Sequence, residues 1–343
     1  TKLIMAPGTQ VQTALADSVS NIAFTQIQAR DYMIASCWDG SVRLWEVQRG
    51  AGISLNSSEL GAKSAEAPVL DCTWAADGTT AFYGGCDNKA HMWNPQTQQV
   101  QVVAQHSAPI QTVDVIPDVS CVATGGWDSC FNMWDLRQAV GTKAASISLP
   151  GKVYAADTFR MMVVICLSNK KVHIYDCRNT AQPYRVHSPE GLSYQLRRVA
   201  CFPDGIGFVI GGVEGKCEVA YVQAADQGTN FRFKCHRRQE NAFPVNGVSF
   251  HPQTSALATV GGDGSCTLWD KTNKTRLNDI VKSGPPLTAV SFSTTGNILA
   301  YATGNDWCQG YSSSNPAVGS PSITLYSVQP QDVQPKPKHS GRR

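Results

Sequence analysis

Gly125-Gly126-Trp127-Asp128-Ser129-Cys130-Phe131-Asn132-Met133-Trp134-Asp135 reads as a strand end, a tight polar turn, and a short alternating strand that closes on Trp-Asp. Alone it is one β-hairpin. Related hairpins run from Ser36-Cys37-Trp38-Asp39-Gly40 to Trp45-Glu46, from Gly84-Gly85-Cys86-Asp87-Asn88 to Trp93-Asn94, and from Gly261-Gly262-Asp263-Gly264 to Trp269-Asp270. Weight therefore falls on the repetition, since one hairpin of this kind cannot bury its own apolar face.

The closing aromatics, Trp45, Trp93, Trp134, Tyr175, Tyr221, Trp269 and Tyr326, are spaced 48, 41, 41, 46, 48 and 57 residues apart. Seven units of that period, closing on Trp-Asp or a variant of it, are the sign of a WD-type repeat, and predict an all-β, seven-bladed WD40 β-propeller. Before each hairpin stands an alternating strand, often after a proline, as in Ala67-Pro68-Val69 to Trp74 or Phe243-Pro244-Val245 to Phe250. Turn signals such as Ala76-Asp77-Gly78 and Pro203-Asp204-Gly205 follow. A fourth, outer strand comes after the Trp-Asp, clearest at Gln99 to Gln105. No helical pattern of about 12 residues is convincing.

Two units are degenerate. The fourth, Val163 to Asp176, lacks the Gly-x-x-Asp turn, and the fifth carries Glu214-Gly215-Lys216 in its place. The seventh is interrupted by a Gly/Ser/Pro-rich surface loop, 309–322. The expected organisation is one propeller over residues 1–330 and a basic, disordered tail over 331–343. An open ring would leave an unpaired edge, so the N-terminal segment, about Gln10 to Leu15, is expected to complete the last blade.

The net charge of +3 is unevenly placed: Lys336, Lys338, Arg342 and Arg343 put +4 in the last eight residues, leaving −1 (+3 less +4) for the rest. A nearly neutral body excludes a general polyanion binder and confines nucleic-acid contact to local patches or the tail. No apolar run approaches the length of a membrane span, and Thr1 to Met5 begins no signal peptide. The twelve cysteines fall singly in or beside strands with no Cys-x-x-Cys, which reads as buried thiols in a reducing, intracellular compartment rather than disulfides or metal ligands.

His106, Thr124 and Asp128 invite a hydrolase reading. A structural one is stronger: with Trp134 they can form a hydrogen-bonded chain inside one blade, where unpaired polar groups would cost several kcal/mol. His236, Thr259, Asp263 and Trp269 could repeat that chain. Without a phosphate-binding loop or a His-Glu-x-x-His helix, no enzymatic activity, metal, cofactor or small-molecule substrate is expected. Binding signals are better. Trp38 and Trp127 occupy equivalent tight turns and suggest partner anchors. Basic residues gather at Arg197-Arg198, at Lys216, at Lys234 with His236-Arg237-Arg238, and at Lys271, Lys274 and Arg276, with Phe233 and Trp269 interleaved. Such a groove takes an acidic peptide or single-stranded nucleic acid.

Val213-Glu214-Gly215-Lys216, Phe233-Lys234-Cys235-His236-Arg237, Pro244-Val245-Asn246 and Gly262-Asp263-Gly264, with the two Trp-Asp turns, carry a resemblance running from about Asn21 to Val328. They resemble the WD-repeat mRNA export factors of the nuclear pore and their relative, the mitotic checkpoint propeller. Lys274-Thr275-Arg276-Leu277 and Asp306-Trp307 lean towards the export side. The resemblance implies a non-enzymatic adaptor that binds the GLEBS segment of an FG nucleoporin. Acidic residues of that segment would meet Lys216 and Arg197, with Trp38 and Trp127 beneath. It further implies that Phe233, Lys234, Trp269, Asp270, Lys274 and Arg276 form a groove for messenger RNA, that an mRNA export receptor is a further partner, and that the protein sits at the nuclear envelope and shuttles to the cytoplasm. Lys216 stands where many relatives have Arg, which replaces a bidentate clamp by a point charge. A checkpoint adaptor for phosphorylated motifs, or a general scaffold such as a ubiquitin-ligase substrate receptor, are the alternatives.

Overall fold

The computed structural model describes residues 8–27, 30–50, 52–310 and 319–334. They form seven four-stranded antiparallel sheets arranged as a β-propeller, with the inner strands contacting in a closed ring. Blade three shows how the opening stretch builds its unit: Ile110–Ile116, Cys121–Gly126, Cys130–Asp135 and Lys143–Ser148, from the axis outwards. Along its third strand, Phe131 and Met133 join the cluster shared with blade four, while Trp134 turns the other way, against Phe82 and Val113. Period-two alternation therefore supplies two cores from one strand. Trp45 and Trp93 are likewise fully buried between blades, and losing a core Trp of this kind costs about 3–5 kcal/mol.

The diverged fourth and fifth units still form complete blades, because strand alternation rather than turn chemistry selects the pairing. Turn chemistry is nonetheless consistent: Gly40, Asn88, Ser129, Lys170, Gly215 and Gly264 all hold a left-handed φ at the tip between second and third strands. The preceding Asp39, Asp87, Asp128 or Asp263 accepts the amide two residues on, at 2.7 to 3.1 Å.

Closure comes from Thr9–Gln10, which pairs with Ser322–Ser327 in blade seven, and Val11 N adds a bond to Ile323 O at 2.9 Å. The pairing is shorter than the sequence suggested: beyond Val11 the chain gives up the ladder, and Leu15 packs into the core instead. At the other end Pro330–Val333 forms a helical turn rather than the start of a disordered tail. Val333 is buried against blade six, and Asp332 accepts bonds from Tyr326 Oη at 2.9 Å and Asn278 Nδ2 at 2.7 Å. The basic tail itself, and 311–318 of the expected loop, lie outside the described residues.

Each inner strand carries a bulge at the same point, between its first and third residues, from Val19/Asn21 in blade one to Leu287/Ala289 in blade seven. The extra twist lets seven strands converge on the axis. The channel they enclose is crossed by stitches between blades. Asp71 accepts Val113 N at 2.8 Å, Asp114 accepts the Thr158 hydroxyl at 2.5 Å, and Asp157 accepts Cys201 N at 2.5 Å. Arg198 of blade five donates to Asn246 O at 2.7 Å and, across the ring, to Ser20 O at 2.9 Å.

Candidate functional site

The turns between second and third strands collect on one face of the disc. There the channel opens into a cavity of about 590 Å³ whose lining includes Trp38, Trp127, Arg197, Tyr154, Asp306 and Trp307. Trp38 is 40% exposed, against 1% for Trp45 and 5% for Trp134, so tip and strand-end tryptophans do different jobs. Trp127 is half-buried and steered by its indole, which donates to Gln111 Oε1 at 3.1 Å. Arg198 also lines the cavity, and two of its N–H groups donate to the Asn246 and Ser20 carbonyls. Burial pulls the Arg197 guanidinium's pKa down, and the nearby Asp306 carboxylate partly restores it. Arg197 is thus the cation that the mouth offers, in a half-desolvated setting that favours an anionic guest.

Lys216 does not line this mouth. Its ammonium lies 3.5 Å from Glu214 Oε1 and 3.5 Å from Gly191 O, and its cross-strand partner is Lys234. Two like charges directly opposite on adjacent strands disfavour the unbound sheet. An anion placed between them would relieve that cost. Sequence reasoning grouped Lys216 with the two tryptophans and Lys234 with Phe233; the register joins the two lysines, and strand alternation turns Lys234 away from the face on which Phe233 lies.

The side groove between blades five and six, about 190 Å³, is lined by Phe231, Phe233, Trp269, Asp270 and Lys274, with Arg232 at its edge. The Phe233 and Trp269 ring centroids lie 4.7 Å apart with the rings tilted by 48°, and the Lys274 ammonium sits 4.7 Å over the Phe231 ring. Asp270 is a turn-maker here: burial would raise its carboxyl, but bonds from Asn273 and the Thr272 amide hold it below the usual range. Arg276 falls outside the lining and pairs with Asp279. Phe231 was legible as the period-two neighbour of Phe233; Tyr154 and Trp307 had no such marker.

In blade three, His106 Nδ1 faces Asp128 at 3.0 Å, His106 Nε2 lies 2.8 Å from Thr124 Oγ1, and Trp134 Nε1 donates to the same hydroxyl at 2.8 Å. The Asn132 amide also donates to His106 Nε2, at 3.1 Å, which leaves the ring proton on Nδ1, towards Asp128. Blade six makes only part of this chain. His236 Nδ1 meets Asp263 at 2.8 Å and Trp269 Nε1 donates to Thr259 at 2.9 Å, but His236 Nε2 has no partner among the described residues. His106, Thr124 and Trp134 of the blade-three chain are buried, and Asp128, half-buried at the turn, also accepts the Ser107 and Cys130 amides.

The WD domain, G-beta repeat family model matches residues 10–46, 97–135 and 229–270. The poly(A)+ RNA export protein of Schizosaccharomyces pombe is 34% identical over 329 residues, 94% of this chain and 91% of that protein. Protein Rae1 of Drosophila melanogaster is 35% identical, over 88% of each chain, and mRNA export factor GLE2 of Chaetomium thermophilum 33%, over 94% and 90%. The chain belongs to the Rae1/Gle2 family of WD-repeat mRNA export factors. Set on this member of the Rae1/Gle2 family, the alignment spans the turn face and the side groove alike, so neither surface is an addition to the family's length.

Proposed function

We propose that the chain is a non-enzymatic adaptor in mRNA export that captures the GLEBS segment of an FG nucleoporin on its turn face. The observation that carries this reading is the shared mouth: Trp38, Trp127 and Arg197, far apart in sequence, line one cavity together. Accessible aromatics beside a half-buried cation suit an acidic, partly apolar segment. The Lys216–Lys234 pair stands at the edge of blade five and supplies the second anionic contact of that segment, steering it as well as holding it. Localisation at the nuclear pore and cycling to the cytoplasm follow from such a tether.

Messenger RNA is the proposed occupant of the side groove. The adjoining Phe233 and Trp269 rings offer aromatic surface for a base, and Lys274 a phosphate contact, the combination that single strands use. The deciding experiment is titration of the purified chain with a synthetic GLEBS peptide. Tight, salt-sensitive binding that Trp127→Ala weakens at least tenfold supports the reading; undiminished binding by a folded Trp127→Ala protein removes the mouth from it.

A further inference from the structure

The cysteines are scattered in sequence, yet the fold brings two of them together. Cys217 is the second residue of Lys216–Tyr221, the third strand of blade five, and Cys235 follows Phe231–Lys234, its outer strand. Their sulfurs lie 3.7 Å apart, with Cys217 fully buried and Cys235 half-buried. Cys235 is also tied by its amide to Gly215 O at 3.0 Å. His236, next in the chain, has Nδ1 2.8 Å from the Asp263 carboxylate in the neighbouring blade.

We propose that Cys217 and Cys235 are a reversible redox modification site that takes a hydroperoxide as oxidant and closes to a disulfide. The two thiols are electrostatically unequal, as a nucleophile and its resolving partner must be. Burial works against a Cys235 thiolate, but the bond from the Cys217 thiol, the His236 charge and the His236 amide outweigh it and lower its pKa. The same bond, and burial, push Cys217 up. Burial alone would lower His236; the Asp263 bond and the adjacent Cys235 raise it, which favours a positive charge beside the sulfur.

The chemistry balances. The Cys235 thiolate attacks one peroxide oxygen, the O–O bond breaks, and the departing oxygen leaves as water after taking a proton, giving a sulfenic acid. Cys217 then loses its proton and attacks the Cys235 sulfur; the S–O bond breaks and a second water leaves. Two thiols are oxidised and one peroxide is reduced. The sulfurs must close from 3.7 Å to about 2.05 Å. Cys235 can make that movement because the strand it ends is four residues long and paired on one side only.

The test treats the reduced, full-length chain with graded hydrogen peroxide, blocks free thiols with N-ethylmaleimide and digests with trypsin. Cleavage after Lys216, Arg232, Lys234 and Arg237 puts Cys217 in peptide 217–232 and Cys235 in 235–237. The expected result is loss of two alkylatable thiols, a linked pair of these peptides, and full recovery with dithiothreitol. In Cys217→Val, whose fold is checked by circular dichroism, the link disappears and Cys235 takes a dimedone adduct. Should Cys217→Val not fold, Cys235→Ser serves, with Cys217 expected to stay reduced. The proposal is overturned if exposed Cys308 is oxidised while both partners stay reduced, or if Cys235 proceeds to sulfinic acid with Cys217 still alkylatable.

Discussion

Trp134 Nε1 donates to Thr124 Oγ1 at 2.8 Å, and His106 Nε2 shares that same hydroxyl at 2.8 Å. In blade six the corresponding Thr259 bonds Trp269 at 2.9 Å, while His236 Nε2 is left without a described partner. One hydroxyl therefore serves two buried rings in blade three and one in blade six. Thr→Val keeps shape and removes the hydroxyl, and an orphaned buried polar group costs about 1–3 kcal/mol. Thr124→Val is expected to destabilise by roughly twice as much as Thr259→Val, read from urea unfolding midpoints at constant m. Equal losses would mean that His106 gains nothing from Thr124.

The cross-strand pairing of Lys216 with Lys234 makes a two-sided prediction. Lys216→Glu replaces repulsion across the strands by attraction but gives up the Glu214 contact and sets two carboxylates together, so the melting temperature should change little, while GLEBS-peptide binding weakens about tenfold and its salt dependence flattens. Thermal melts and titrations at two ionic strengths read both arms. A variant that binds as tightly as the parent would take Lys216 out of the interface.

For the side groove, Lys274 and Arg276 should separate. Lys274 lies over Phe231 and holds a left-handed φ of 55°, whereas Arg276 is already paired with Asp279. Lys274→Gly removes a charge and eases the backbone, so stability should rise slightly while affinity for a single-stranded RNA oligomer falls. The slope of log affinity against log salt should drop by about 0.7 for the lost phosphate contact. Arg276→Ala should change neither measurably. If Arg276→Ala had the larger effect on RNA affinity, the groove would be wrongly centred.

Channel carboxylates give the pH dependence. Asp157 is raised from 3.8 to about 7, first by burial and then by the Asp114 charge; burial also raises Asp114 to about 6 and Asp71 to about 7. The folded protein thus holds protons that the unfolded chain gives up, so this stability is complete below the ordinary carboxyl pKa and is lost as pH climbs towards 7. Asp128 and Asp263 act oppositely: burial opposes their ionisation, but bonds from His106 and His236 win, and their contribution is lost as pH falls below the ordinary range. Stability should peak near about pH 5. Asp157→Asn retains an acceptor for Cys201 N and should raise the melting temperature at pH 7.5 but not at pH 5. A gain that is the same at both pH values would show that Asp157 is ionised throughout.

Local sequence patterns were enough for the seven-bladed β-propeller. Period-two alternation, recurrent tight turns and a closing Trp or Tyr every 41 to 57 residues are local properties that can be read directly along the chain. Family motifs were equally local, since Phe233 to Arg237 lie in one short run. Which side chains meet depended on the closed ring and the strand pairings. Ring closure brings Trp38, Trp127, Tyr154, Arg197 and Trp307 to one mouth, although they come from different blades. Strand register, set by pairings between residues 18 positions apart, joined Lys216 to Lys234 and placed Cys217 beside Cys235. A one-residue change of register would undo both, because neighbouring residues of a strand face opposite ways.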